Sequence, residues 1–179
     1  MTVASPRLEP VDFDSLVNAG INRPARYMGH ELGVEPRDWQ ASRVRWALSY
    51  PEIYEVGASN QGHIILYSIL NAVPGQLCDR AYLPAQDLAQ RLRDLRQPLF
   101  AVESRRPLQA FDILGFSLCY ELGATNILEM LDLAEIPLLA SERAAAAACA
   151  RSAASENSFN EASLSHPSAI CKNWFDGPS

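Results

Sequence analysis

Residues 42–139 alternate two kinds of apolar run, and that alternation restricts the chain to few architectures. "RVRWALSY" (43–50) places Val44, Trp46, Leu48 and Tyr50 on one side with the period of two that a strand has. "LCDRAYL" (77–83) and "PLFAVE" (98–103) read as further short strands. "FDILGFSLCY" (111–120) is the most apolar run, expected to be a strand buried on both faces, and "IPLLA" (136–140) begins another strand or its approach. Helical patterns lie between. Ser59 or Asn60 can cap a helix whose inward stripe is Ile65, Leu66, Ile69 and Leu70, ended by Pro74-Gly75. Leu88, Leu92 and Leu95 repeat at helical spacing after Pro84, with Asp87 early and Arg93 and Arg96 late. Asn126 with Glu129 reads as a capping pair before a stripe of Ile127, Leu128, Leu131 and Ala134. Strands alternating with amphipathic helices predict an α/β fold: a parallel sheet with flanking helices.

Three regions follow. Residues 1–41 are a leader, with a short helix expected near residues 14–18, and a turn-rich segment. Residues 42–143 form the α/β domain. Residues 144–179 are expected to be of low order, because 17 of those 36 residues are Ala or Ser. No run of 18 apolar residues occurs, so no membrane span is expected, and the N-terminus lacks a secretory signal pattern. The cytoplasm is the expected compartment. A net charge of −6 argues against a nucleic-acid face. Fourteen of the 15 basic residues are Arg and the one Lys is Lys172, so a GxxxxGK phosphate loop is impossible. Cys78, Cys119, Cys149 and Cys171 are too widely spaced for a zinc knuckle or a local cluster site, and Cys78 and Cys119 are expected to be buried free thiols.

In a parallel sheet, ligands sit beyond the carboxyl ends of the strands. Two such ends are chemically rich: "YEVGASNQG" (54–62), read as a loop, and "SLCYELGATN" (117–126). Both precede a helix N-terminus, where free N–H groups meet whatever is bound. The candidate cofactor-binding residues are Glu55, Gly57, Ser59, Asn60 and Gly62 on the first, and Ser117, Tyr120, Glu121 and Thr125 on the second. The bland alternative is a tight βα turn with a capped helix, which needs the same residue types. His63 without partners reads as a polar residue at a helix start, and Arg105-Arg106 as a solvated loop or an ion pair with Glu103. "GASNQ" lacks the second Gly of a nucleophile elbow, and no catalytic residue or metal ligand is assigned.

"RPARYMGHELG" (23–33), "YPEIYEVGASNQGHIILYSILN" (50–71), "CDRAYLP" (78–84) and the long segment 98–138 occur in an order that resembles the N-terminal part of a group of bacterial radical S-adenosylmethionine proteins with a cobalamin-binding-like domain. The resemblance covers roughly residues 20–140 and implies a flavodoxin-like, Rossmann-type fold. It also implies cobalamin as a candidate cofactor, with S-adenosylmethionine and a 4Fe-4S cluster confined to a radical domain. Two departures stand out. The CxxxCxxC loop for the cluster is missing, so the chain is expected to be a truncated or frame-shifted copy, incomplete at its C-terminus and inactive alone. The DxHxxG loop that supplies a histidine to cobalt is missing as well, with His63 after Gly62 but neither the Asp nor the trailing Gly.

The chain thus reads as a cofactor-binding-like domain whose partner is a radical domain, in trans or lost. The alternatives are a non-catalytic interaction module of Rossmann-like shape and a flavin or nucleotide binder, the latter without a GxGxxG. An unfinished sheet would leave an open edge, and self-association through it is expected.

Overall fold

The computed structural model describes residues 9–144 except 18–19, 30, 32–33 and 35–36. A short helix α1 (Phe13–Leu16) opens the described chain, followed after a left-handed Arg23 by a three-ten turn at Pro24–Tyr27. Then come β1 (Val44–Tyr50), a one-turn α2 (Tyr54–Ala58), α3 (Gln61–Ala72), β2 (Gln76–Tyr82), α4 (Gln86–Leu95), β3 (Ile113–Phe116) and α5 (Ala124–Leu133). The strands form an all-parallel sheet in the order β2-β1-β3. The expected α/β class, a parallel sheet flanked by helices, is therefore what the chain adopts.

The two sheet faces are packed unequally. One carries the main core: Ala47, Leu77 and Ala81 of the strands meet Leu88, Ala89 and Leu92 of α4, Met130 and Leu133 of α5, and Leu16, Ile21 and Tyr27 of the N-terminal segment. The other face holds the smaller cluster of Tyr50, Tyr82 and Val102. There α3 turns its polar stripe inward. The His63 ring stands edge-on to Tyr50 with centroids 5.3 Å apart, the Tyr67 ring lies 4.7 Å from the Arg80 guanidinium carbon, and Asn71 bonds both backbone groups of Cys78 at 2.9 Å. These residues are spaced four apart, one helical face.

Several expectations fail for physical reasons. Ile65, Leu66 and Ile69 are exposed rather than buried, because the strand residue beneath α3 is the charged Arg80, which takes polar and aromatic neighbours. "PLFAVE" is not a strand. Pro98 has no N–H to give, and the segment doubles back so that Phe100 bridges Pro107 and the Ala101 N–H donates to Arg106 O at 2.9 Å. The strand expected over 111–120 shrinks to four half-buried residues at a sheet edge, and Cys119 is exposed, although Cys78 is buried as expected. "IPLLA" is not a strand either. Residues 140–144 are helical, and the Arg143 guanidinium donates to the carbonyls of Pro137 and Leu138. The buried positions of α5 are Met130 and Leu133, with Ala134 just beyond, while Leu128 is exposed. The capping pair does not form: α5 starts without a side-chain cap, and Asn126 donates to Pro51 O at 2.8 Å instead. Glu103 pairs with Arg80, not with Arg105 or Arg106. The 144–179 tail lies, beyond residue 144, outside the described residues.

Candidate functional site

The strand order makes the site's position. β1 is central, with β2 on one side and β3 on the other, so the chain leaves β1 toward β2 through α2 and α3 and reaches β3 from the opposite side. That is a topological switch point, where the carboxyl-end loops diverge and leave room between them. The loop after β1 and the loop after β3 meet there. Asn60 caps α3, its Oδ1 accepting the His63 N–H at 3.0 Å. Its Nδ2 donates to the Tyr50 hydroxyl at 3.3 Å, and that hydroxyl contacts Cys119 Sγ at 3.5 Å. The Tyr120 hydroxyl donates to the Glu52 carboxylate, which also lies 3.4 Å from Asn126 Nδ2. Below the rim, Ser117 Oγ lies 3.1 Å from His63 Nδ1.

His63 is not a helix-start residue in solvent. It is 1% exposed, its Nε2 has no hydrogen-bond partner among the described residues, and burial together with the nearby Arg80 charge pushes its pKa down to about 4. The ring is therefore neutral near neutral pH. Tyr82, 5.8 Å away between centroids, also keeps a buried hydroxyl that has no hydrogen-bond partner among the described residues. The Cys119 contact and then burial push the Tyr50 hydroxyl up to about 12.

The nine candidate residues divide. Asn60, Ser117 and Tyr120 come together at the switch point through the contacts above, with Gly62 beside Asn60: a Cβ at Gly62 would lie 3.3 Å from Asn60 Oδ1. Glu121 is exposed in a three-ten turn that leads into α5, and Thr125 spends its hydroxyl on Leu122 O at 3.2 Å. The other three have structural duties. Glu55 turns toward the N-terminal segment and pairs with Arg26 at 2.8 Å and Arg23 at 3.2 Å. Gly57 lets α2 pack onto β2, since a Cβ there would lie 2.6 Å from the Tyr82 ring. Ser59 donates to Val56 O and closes α2. The expected loop over 54–62 thus contains a helical turn, α2, within or beside which these three make the contacts just described. Sequence reasoning missed Glu52 and Cys119. Both lie within two or three residues of a strand's carboxyl end, and that position was the usable signal.

A second polar cluster lies along β2. Arg80, 3% exposed, is held by Glu103 at 2.6 Å and Glu31 at 2.7 Å. Asp79 accepts the N–H groups of Arg80, Glu103 and Ser104 at 2.8 to 3.0 Å. Burial and the adjacent Asp79 charge raise the Glu103 pKa well above the carboxylate range. The cluster closes the edge of β2 and stitches the 102–104 segment to it.

Among the described residues no three His, Cys, Asp or Glu side chains group as metal ligands, and no helix is long and apolar enough to cross a membrane. The described residues do not fit an iron–sulfur cluster: Cys78 is buried and Cys119 faces the rim alone. Nor do they fit a histidine-ligated corrinoid, because His63 lies beneath Tyr50 and Tyr82.

No curated protein and no solved structure matches the chain. Residues 62–155 match the family described as radical SAM proteins, N-terminal. That span takes in nearly all of α3 and then β2, α4, β3 and α5, and begins at Gly62, the last candidate residue of the first loop. With more than half of its length so matched, the chain belongs to the radical SAM protein family, as an N-terminal domain.

Proposed function

We propose that this domain is a non-catalytic, ligand-positioning part of a radical S-adenosylmethionine protein, with the switch-point rim as its contact surface. Asn60, Gly62, Ser117, Tyr120, Glu121 and Thr125 carry the contact, with Glu52 and Cys119 added. The observation behind this reading is the convergence of the β1 and β3 loops, whose polar groups bond across the mouth between Asn60, Tyr50 and Cys119 and between Glu52 and Tyr120. A ligand there would exchange those contacts for its own and be gripped by amide and hydroxyl groups. Cleavage of S-adenosylmethionine needs an electron from a cluster held by three closely spaced thiolates, and no CxxxCxxC occurs in the 179 residues. The chemistry would therefore belong to a radical domain, and this domain would orient what that domain acts on.

A corrinoid is the cofactor to test first, resting on the rim without a histidine ligand. Hydroxocobalamin titrated into the full chain reads this directly. A saturable change in the visible spectrum, weakened by Asn60→Ala and by Tyr120→Phe, supports the reading. An unchanged spectrum at high micromolar corrinoid removes the corrinoid role.

A protein-docking reading is favoured by one observation: Leu118, Tyr120 and Leu122, which follow β3, are exposed, Leu122 by 80%. On this reading the rim packs against the radical domain itself. Leu122→Asp would then abolish co-purification of that domain, and unchanged co-purification would exclude the docking role.

A further inference from the structure

The two stretches of chain that build the rim lack basic side chains. No Lys or Arg occurs from Trp46 to Asp79 or from Pro107 to Glu142, although the chain has 15 of them. His63, the one histidine in either stretch, is buried and neutral. Carboxylates remain. Glu55 spends its charge on Arg23 and Arg26. Glu52, half-buried, does not: its side-chain partners among the described residues are the Tyr120 hydroxyl and, at 3.4 Å, Asn126 Nδ2, both neutral. Both meet the same oxygen, Oε1, and Oε2 accepts no hydrogen bond among the described residues. A carboxylate held by neutral groups, with one oxygen open, favours a positively charged donor.

Helix N-termini ordinarily attract anions, and α3 and α5 both begin at the mouth. Here that preference is met from within the chain. Asn60 Oδ1 takes the His63 N–H at the start of α3, and Glu52 lies against Asn126 in the first turn of α5. An anionic ligand would meet Glu52 with no Lys or Arg from either loop to offset the repulsion.

We propose that the rim takes a cationic ligand group, a primary ammonium on an alkyl chain, with Glu52 Oε2 as its charged acceptor. The inference rests on the reading of the rim as a ligand-contacting surface and names the class of ligand. An ammonium fits better than a guanidinium, because the planar fork of a guanidinium uses both carboxylate oxygens and Oε1 is already taken. The Tyr120 ring, half exposed and held beside Glu52 by its hydroxyl, offers a π face to the same charge. Leu118 and Leu122, exposed on either side of Tyr120 in sequence, supply apolar surface for the alkyl chain.

The test titrates the full chain with n-hexylammonium and, in a separate arm, with hexanoate, following the backbone amides by heteronuclear NMR. Hexylammonium is expected to give saturable shifts in residues 50–62 and 117–126, and hexanoate none there. Glu52→Gln, which keeps an oxygen for Tyr120, should weaken the amine roughly fivefold or more. A third arm with Nα-acetyl-lysine N-methylamide separates two sources of the same group. Tighter binding than hexylammonium assigns it to a lysine side chain of a protein partner, and weaker binding to a free amine. The wild-type contrast between amine and carboxylate keeps the test decisive if the variant fails to fold. Rim shifts with hexanoate but not with hexylammonium overturn the cationic class and leave the rim reading standing. A rim silent to hexylammonium overturns the proposal, and shifts there with hydroxocobalamin would still uphold the rim reading. Amine binding that ignores Glu52→Gln overturns the proposal as well.

Discussion

Two single positions show how tightly chemistry and packing are joined beneath the rim. His63 is buried neutral, its pKa near 4 against an ordinary 6.5, with Tyr50, Tyr82 and Ser117 around it and the Arg80 charge nearby. As pH falls below about 6.5 the unfolded chain takes up a proton that the folded ring refuses. The stability tied to His63 is therefore present above that pH, declines as pH drops toward 4, and levels off below it. The shift from 6.5 to about 4 corresponds to roughly 3 kcal/mol across that window. Urea unfolding at stepped pH should show this slope, and His63→Gln should flatten it between pH 6.5 and 4. A variant with the wild-type slope would refute the assignment. Gly57 is constrained sterically. Gly57→Ala must displace Tyr82, whose ring atoms lie 2.6 Å from the new Cβ, and should cost about 1–3 kcal/mol in chemical denaturation.

At the level of elements, α3 is held to the sheet by polar contacts where a sheet-covering helix ordinarily uses an apolar stripe. Asn71 is the clearest case, because one side chain satisfies both the donor and the acceptor of Cys78. Asn71→Ala leaves two backbone groups of a buried residue without those partners and should cost about 1–3 kcal/mol, measured as a lower urea midpoint with an unchanged slope. A loss below a few tenths of a kcal/mol would mean that water replaces the amide. The stripe misread from sequence belongs here too. Ile65, Leu66 and Ile69 have helical spacing, but so do His63, Tyr67 and Asn71 on the opposite side. Spacing alone favours neither stripe. The choice was made by Arg80, whose guanidinium sits on the strand face beneath the helix and is already bonded there by Glu103 and Glu31.

For the molecule as a whole, stability should come mainly from one side of the sheet. The large core joins α4, α5 and the N-terminal segment, and Leu92 within it is 1% exposed. Leu92→Ala should cost about 2–5 kcal/mol. Ile69→Ser on the outer face of α3, where the isoleucine is 56% exposed, should change stability by no more than about 0.5 kcal/mol. Equal losses at the two positions would show that α3 buries its outer face against a partner in solution. The parallel sense of β1, β2 and β3 and the polar residues that follow β1 and β3 were legible in the chain, because periodicity and strand-end position are local signals, whereas the order β2-β1-β3 was not. The fate of "PLFAVE" and "IPLLA" was not, since both are short apolar runs whose backbone bonds go to other segments: Leu99 to Leu133, and the carbonyls of 137 and 138 to Arg143.

What the sequence determined by itself is the alternation that makes a parallel sheet, a cap at Ser59 or Asn60 to start α3, and the lack of closely spaced thiolates for a cluster. Each depends on neighbours along the chain. Only the tertiary structure decided which of the nine candidate residues share the mouth, that Glu55 and Gly57 serve packing, that His63 is buried and neutral, and that the outer edge of β2 is engaged by Asn71, Glu103 and Val102. Those outcomes depend on which groups meet across long sequence separations, as Tyr120 meets Glu52 and Glu103 meets Arg80. Desolvation and pairing act only once the chain has brought such groups together.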